Sequence, residues 1–253
     1  MGSSFYISIC LLLLLATLLC LGESHKTRNV LAAPTLRSRR LDDSYFSASA
    51  RNVLSSSATT AFETFAIDVD GDGDVDILSA SLSDNKIRFF DNDGSQSFTE
   101  RSIDSALSNA ISVHAADVDG DGLVDIVACG HGTSSVVKWY KQTAGSPPTW
   151  SASTAYTAPS TRSCRAVWAT DLDLDGDIDF LVALEHSASA GAGEVAWLDN
   201  DGSENFTYRV IDSDCSGCHH AHFGDIDNDG VIDVAAAAPH GTSIFWYVKR
   251  NGL

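Results

Sequence analysis

Four nine-residue segments carry aspartate at alternating positions: DVDGDGDVD at 68–76, DVDGDGLVD at 117–125, DLDLDGDID at 171–179 and DIDNDGVID at 225–233. In every copy, aspartate occupies positions 1, 3, 5 and 9, and glycine occupies position 6. Alternate carboxylates can turn toward one centre, and the glycine permits the sharp turn that such a loop needs. Crowded carboxylates repel one another unless a cation lies among them, and an oxygen-only donor set favours Ca²⁺ over zinc or copper. The sequence therefore predicts four calcium loops, with about four ions in each chain.

The predicted ligands are the loop aspartates and the backbone carbonyl of position 7, where the residue type can vary. They are Asp68, Asp70, Asp72, Asp74, Asp76, Asp117, Asp119, Asp121, Leu123, Asp125, Asp171, Asp173, Asp175, Asp177, Asp179, Asp225, Asp227, Asp229, Val231 and Asp233. An EF-hand is the nearest alternative, but its loop needs a bidentate glutamate at position 12. This chain has Ser79, Ala128, Val182 and Ala236 there, and strand-like flanks, so the EF-hand is rejected.

The loops recur at intervals of 49, 54 and 54 residues, which is the range of one propeller blade. An apolar run follows each loop, then a turn rich in glycine, serine and asparagine, then a run with bulky aromatic residues. This pattern predicts an all-β fold, a β-propeller of four-stranded antiparallel blades, with four repeats over residues 45–253. The phase of the repeat predicts that residues 46–54 form an outer strand that could complete the last blade and close the ring. An open arc that forms a homodimer, or part of a longer propeller, are the alternatives.

The N-terminal region indicates secretion. Residues 7–21 form a nearly continuous apolar run that is short for a bilayer span, so residues 1–22 are predicted to be a signal peptide. An uncleaved anchor is the alternative, because residues 1–8 contain no Lys or Arg. Residues 23–44 are predicted to be a basic linker or propeptide, and RSRR at 37–40 resembles a protease processing site. We expect an extracellular or cell-surface-associated protein with no membrane span in the mature chain.

The charge balance narrows the possible partners. The chain of 253 residues has 34 acidic and 16 basic side chains and a formal net charge of −18. This balance argues against a nucleic-acid partner, because phosphate binding requires a basic surface. The sequence contains no nucleophile elbow, zincin helix or phosphate loop, so we predict that the protein is not an enzyme.

The loops and their flanks resemble the FG-GAP/VCBS repeats, as found in the propeller of integrin α-subunits. In the fourth copy, FG at 223–224 precedes the loop and AP at 238–239 follows it. The resemblance covers about residues 46–253 and implies a calcium-binding propeller. Because the family serves in adhesion, in glycan binding and beside enzymes, it implies an extracellular recognition module for glycan or protein ligands. The alternatives are a structural or assembly domain stabilised by calcium, or a non-catalytic part of a polysaccharide-active enzyme.

The strand that enters each loop suggests where a ligand could bind. Residues two and four positions before the first aspartate are mostly small or apolar, which suits packing between blades. Residues three and five positions before it lie on the opposite face of the strand. Around a propeller axis these side chains could form one ligand surface, or they could line a wet channel. The predicted surface consists of Glu63, Phe65, His114, Trp168, His220 and His222.

Four cysteines follow the predicted leader, and an even number in a secreted protein indicates disulfides. Three pairings are possible, and we favour Cys129 with Cys164 and Cys215 with Cys218. The segment CSGCH at 215–219 also matches a haem attachment motif, and neighbouring histidines could help it to hold zinc. Asn205 begins the sequence NFT, an acceptor for N-glycosylation.

Overall fold

The computed structural model describes residues 51–132, 135–143, 147–186, 192–215, 217–239 and 243–249. The predicted signal peptide and basic linker, with the processing site, lie outside these residues. The described residues contain β-strands and no helix, and therefore no helix of the length and apolar character needed to cross a bilayer. The strands are β1 (Ala61–Ile67), β2 (Asp76–Ser81), β3 (Lys86–Asn92), β4 (Phe98–Asp104), β5 (Ala110–Ala116), β6 (Asp125–Gly130), β7 (Val136–Thr143), β8 (Thr149–Thr157), β9 (Arg162–Thr170), β10 (Asp179–His186), β11 (Gly193–Asn200), β12 (Phe206–Asp212), β13 (His220–Gly224), β14 (Asp233–Ala238) and β15 (Ser243–Tyr247).

The strands form four antiparallel sheets, and in each sheet neighbouring strands follow one another along the chain. Blade 1 contains β1 to β4, blade 2 contains β5 to β8, blade 3 contains β9 to β12, and blade 4 contains β13 to β15. This arrangement confirms the predicted all-β propeller with one blade for each repeat. Part of the predicted closing strand, residues 46–50, lies outside the described residues, and residues 51–54 contain no strand. No strand of the described residues pairs with the free edge of β15.

The core consists of three apolar clusters, one between each pair of consecutive blades. In blade 3, which has a neighbouring blade on each side, the second strand is apolar on both faces, and Phe180, Leu181 and Val182 of β10 are all fully buried. The innermost strands β1, β5, β9 and β13 pack in series, each against the next. Blade packing thus places equivalent positions of these inner strands side by side.

Two disulfides support this packing. Cys129 in β6 is bonded to Cys164 in β9 and so joins blades 2 and 3, while Cys215 is bonded to Cys218 just before β13. Both predicted pairings are confirmed.

Candidate metal centres and ligand surface

Each acidic loop lies between the first and second strands of its blade and is folded by its own first aspartate. In the third loop, the carboxylate of Asp171 accepts hydrogen bonds from the backbone N–H groups of Asp175 at 3.1 Å and Gly176 at 3.1 Å. The first aspartate accepts the same two bonds, from positions 5 and 6, in the second and fourth loops: from Asp121 and Gly122 to Asp117, and from Asp229 and Gly230 to Asp225. In the first loop Asp68 accepts from positions 4 and 6 instead, Gly71 and Gly73. The carboxylate at position 1 therefore holds the loop in its folded shape through hydrogen bonds that do not involve an ion.

The turn in each loop requires left-handed backbone at positions 4 and 6. Gly176 at position 6 of the third loop has φ of +104°, and the equivalent glycines of the other loops also have positive φ. At position 4, Leu174 has φ of +66° and Asn228 has φ of +62°. Glycine at position 6 thus serves the sharp turn that the sequence predicted.

The aspartate at position 9 is buried and connects its loop to the third strand of the blade. In blade 3, Asp179 accepts hydrogen bonds from the backbone N–H of Leu172 at 3.0 Å and of Asn200 at 2.8 Å. Its burial raises the pKa of this carboxyl to about 7, and a neighbouring divalent cation would favour the ionised form. The same two bonds recur at Asp76, Asp125 and Asp233.

Three carboxylates in every loop present one oxygen each, all within 4.8 Å of one another. The sets occupy positions 1, 3 and 9 in blades 1 and 3, and positions 1, 3 and 5 in blades 2 and 4. They are Asp68, Asp70 and Asp76; Asp117, Asp119 and Asp121; Asp171, Asp173 and Asp179; and Asp225, Asp227 and Asp229. Such donor sets fit a hard divalent cation.

The remaining predicted ligands do not belong to these sets in the described part of the chain. They are the carboxylates of Asp72, Asp74, Asp125, Asp175, Asp177 and Asp233. Asp74 and Asp177, at position 7, direct their carboxylates over Gly94 and Gly202 of the adjacent hairpin turns. Their roles, and those of the Leu123 and Val231 carbonyls, stay predictions.

Sequence reasoning missed one further position, near the end of the third strand, whose side chain influences the loop in blades 1 to 3. This position holds Asp91, Lys141, Asp199 and Val248 in blades 1 to 4. Burial, Asp72 and then Asp91 raise the pKa of Asp70, whereas the ammonium of Lys141 forms an ion pair with Asp119. The third loop has the carboxylate of Asp199 at this position, whereas the second has the cationic side chain of Lys141. The four loops therefore differ in the charge that surrounds a bound ion. An alignment of the four repeats beyond the loops would have indicated this difference.

The structure brings together four residues of the predicted ligand surface as one row of rings. Phe65, His114, Trp168 and His222 occupy the same position of the inner strand in successive blades. Their ring centroids are separated by 4.1 Å, 4.8 Å and 4.6 Å in that order. We call this set the aromatic row. Burial lowers the pKa of His114 to about 3, so this ring is neutral at physiological pH.

The other two predicted residues are placed differently. Glu63 accepts a hydrogen bond from the backbone N–H of Val113 in blade 2 at 2.9 Å, and burial raises its pKa to about 7. Ser112 makes the equivalent bond to Val167 in blade 3 at 3.0 Å, so this strand position links blades. His220 begins β13 and is exposed.

The predicted glycosylation site lies in the turn between β11 and β12. Asn205 is exposed, and its side-chain amide donates to the carboxylate of Asp201 at 3.1 Å and 3.3 Å. This exposure makes the side chain accessible. Its glycosylation stays a prediction.

Four consecutive antiparallel blades with an acidic loop after each inner strand define a β-propeller built from sequence repeats. The model of the FG-GAP-like repeat matches residues 68–128, 117–182 and 171–236, and the chain belongs to this family. Each matched segment runs from one acidic loop to just beyond the next, so the family repeat and the structural blade have the same period.

Two solved structures resemble the chain at low identity. One is an Agrocybe aegerita lectin described for specific recognition of non-reducing terminal N-acetylglucosamine, with 15% identity and a TM-score of 0.48; the match covers 74% of this chain and 52% of the lectin. The other is an endo-arabinase from Bacteroides thetaiotaomicron, with 14% identity, a TM-score of 0.46 and coverage of 74% and 75%. This chain thus spans about half the length of the lectin. No curated protein matches the sequence. Neither structural resemblance indicates what this chain binds.

Proposed function

We propose that the protein is a secreted, calcium-binding propeller that acts as an extracellular recognition module for a glycan or protein ligand. The observation that carries this proposal is the aromatic row, to which every blade contributes one ring. Phe65, Trp168 and His222 are each partly exposed. Aligned aromatic rings with exposed surface suit the apolar faces of sugar rings or of protein side chains.

Calcium has a structural role in this proposal. Each ring of the row lies only three residues before the first aspartate of a loop. The four carboxylate sets described above would hold the ions, and each ion would neutralise the repulsion among its ligands. Ordered loops would in turn fix the ends of the inner strands, and so the spacing of the rings. We assign no catalytic step to the module.

Secretion is supported by two kinds of evidence. The apolar run at residues 7–21 has the length and composition of a signal peptide. The two disulfides are typical of proteins in an oxidising compartment. Together they favour an extracellular location, where millimolar calcium would be available to the loops.

Replacing Trp168 with alanine should weaken ligand binding at least about tenfold, because buried aromatic contacts dominate binding energy at recognition surfaces. Arrays of glycans and of extracellular proteins, probed in calcium with the wild type and with Trp168→Ala, would measure this loss. Phe98→Ala is the matched control, because Phe98 is a partly buried aromatic residue on the outer strand β4. Equal binding by all three proteins would contradict the assigned surface. A wild type that binds no member of either array would favour the structural alternative.

A further inference from the structure

Each blade has two packing faces, which we call outgoing (toward the following blade) and incoming (toward the preceding blade). Loop position 2 lies on the outgoing face, and loop position 8 of the following blade packs against the same apolar cluster. The three pairs are Val69 with Val124, Val118 with Ile178, and Leu172 with Ile232. The position-2 side chains of blades 1 to 3 are 1%, 4% and 4% exposed. The exposed fraction of the side chain at loop position 2 therefore indicates whether a neighbouring blade covers the outgoing face.

The equivalent residues at the two ends of the blade series are exposed. Ile226, at position 2 of blade 4, is 44% exposed, and Val75, at position 8 of blade 1, is 56% exposed. One outgoing face and one incoming face are thus left without a neighbouring blade among the described residues. The inner strands β1 and β13 make no contact comparable to those between consecutive blades.

The third strand of blade 4 shows the same feature. Ile244 is 86% exposed and Trp246 is 51% exposed. Ile244 and Trp246 lie five and three residues before Lys249, which binds the position-9 aspartate of blade 4. The residues at the same distances before Asn92 in blade 1 are Ile87 and Phe89, and both are completely buried. Ile226, Ile244 and Trp246 thus form an apolar face of the type that the next blade covers elsewhere in the molecule.

A side-chain hydrogen bond that crosses the internal interfaces is missing at the blade 1 end. The side chain of Asn200 in blade 3 donates to the backbone carbonyl of Ile178 in its own loop at 3.1 Å and to that of Val118 in blade 2 at 3.5 Å. Lys249 in blade 4 donates to the carbonyl of Leu172 in blade 3 at 3.1 Å. The corresponding donor in blade 1, Asn92, makes the own-loop bond alone, to the carbonyl of Val75 at 2.9 Å, and no bond to another blade among the described residues.

We propose that the outgoing face of blade 4 binds the incoming face of blade 1 in a second copy of this chain. The repeat itself indicates the partner, because an outgoing face packs against an incoming face three times within one chain. Both faces lie on every copy, so a two-fold axis forms two identical interfaces and closes a ring of eight blades. Known propellers have about four to eight blades, so a ring of two copies is the largest within that range. This assembly does not depend on the identity of the ligand.

The full chain should therefore be a dimer in light scattering coupled to size-exclusion chromatography. Ile226→Glu should weaken dimerisation at least about tenfold, because it places a charge in an apolar interface, and Val75→Glu should do the same from the other side. Mixing the two variants should restore a dimer of intermediate affinity, because the mixed pair contains one interface with both original residues. Val210→Glu is the control, since Val210 is 51% exposed on the outer strand β12, outside both faces.

Three outcomes would overturn the proposal. A monomeric wild type at high micromolar concentration would show that the faces do not bind a second copy. A series of species larger than a dimer would exclude the closed ring. A dimer that both glutamate variants leave intact, with circular dichroism showing that they are folded, would place the interface elsewhere.

Discussion

Replacing Asp179 with alanine is expected to lower the free energy of unfolding by about 2–6 kcal/mol, because two buried backbone donors lose their acceptor at about 1–3 kcal/mol each. These donors are the N–H groups of Leu172 and Asn200, at 3.0 Å and 2.8 Å, and the side chain of Asp179 is fully buried. The loss disconnects the third acidic loop from the third strand of its blade. Urea denaturation of both proteins would measure the effect.

Asp177→Ala provides the matched control two residues away. Asp177 lies over the turn at Gly202, is outside the carboxylate set of its loop, and corresponds to Leu123 and Val231 in other loops. Its removal should change stability by less than about 1 kcal/mol. The effect at Asp179 should persist in a calcium chelator, because the two hydrogen bonds do not involve an ion. An effect that disappears in the chelator would show that Asp179 acts only as a metal ligand.

Removing calcium is expected to lower the melting temperature by roughly 5–20 °C. Extracellular calcium modules bind at about 10⁻⁴ to 10⁻³ M, so at about 1 mM calcium each site adds about 0.4–1.4 kcal/mol by mass action. Four sites then contribute about 2–6 kcal/mol, and about 1 kcal/mol shifts the melting temperature of a domain of this size by about 2–4 °C. Differential scanning calorimetry in calcium, and in excess chelator, would measure the shift.

Magnesium is the control cation in the same experiment. It requires near-ideal octahedral geometry and loses its water reluctantly, so millimolar magnesium should restore little of the stability lost in chelator. Full restoration by magnesium would mean that the loops respond to charge alone. An identical melt with and without calcium would contradict the structural role proposed for the ions.

The sequence predicted the elements that depend on local pattern. Acidic loops at a regular interval fixed the number of blades, and alternation along the inner strand predicted that Phe65, His114, Trp168 and His222 share a face. Both disulfide pairings were also predicted correctly. These successes have one physical basis, because a repeated unit that packs only on its neighbours places equivalent residues in equivalent surroundings.

The features that the sequence did not predict depend on contacts between distant residues. The pairing of Lys141 with Asp119 and the burial of Asp179 between a loop and a third strand follow from strand register. Register here includes irregularities, such as the shift between Ala183 and Leu184 where β10 pairs with β9. A bulge of this kind changes which residues face each other and has no local signature in the sequence.

The number of calcium ions bound per chain decides whether the acidic loops are metal sites. Equilibrium dialysis against millimolar calcium should find about four ions on the wild type and about one fewer on Asp171→Ala, which loses the carboxylate that both shapes the third loop and belongs to its oxygen set. A folded wild-type protein that takes up no calcium under these conditions would contradict the account.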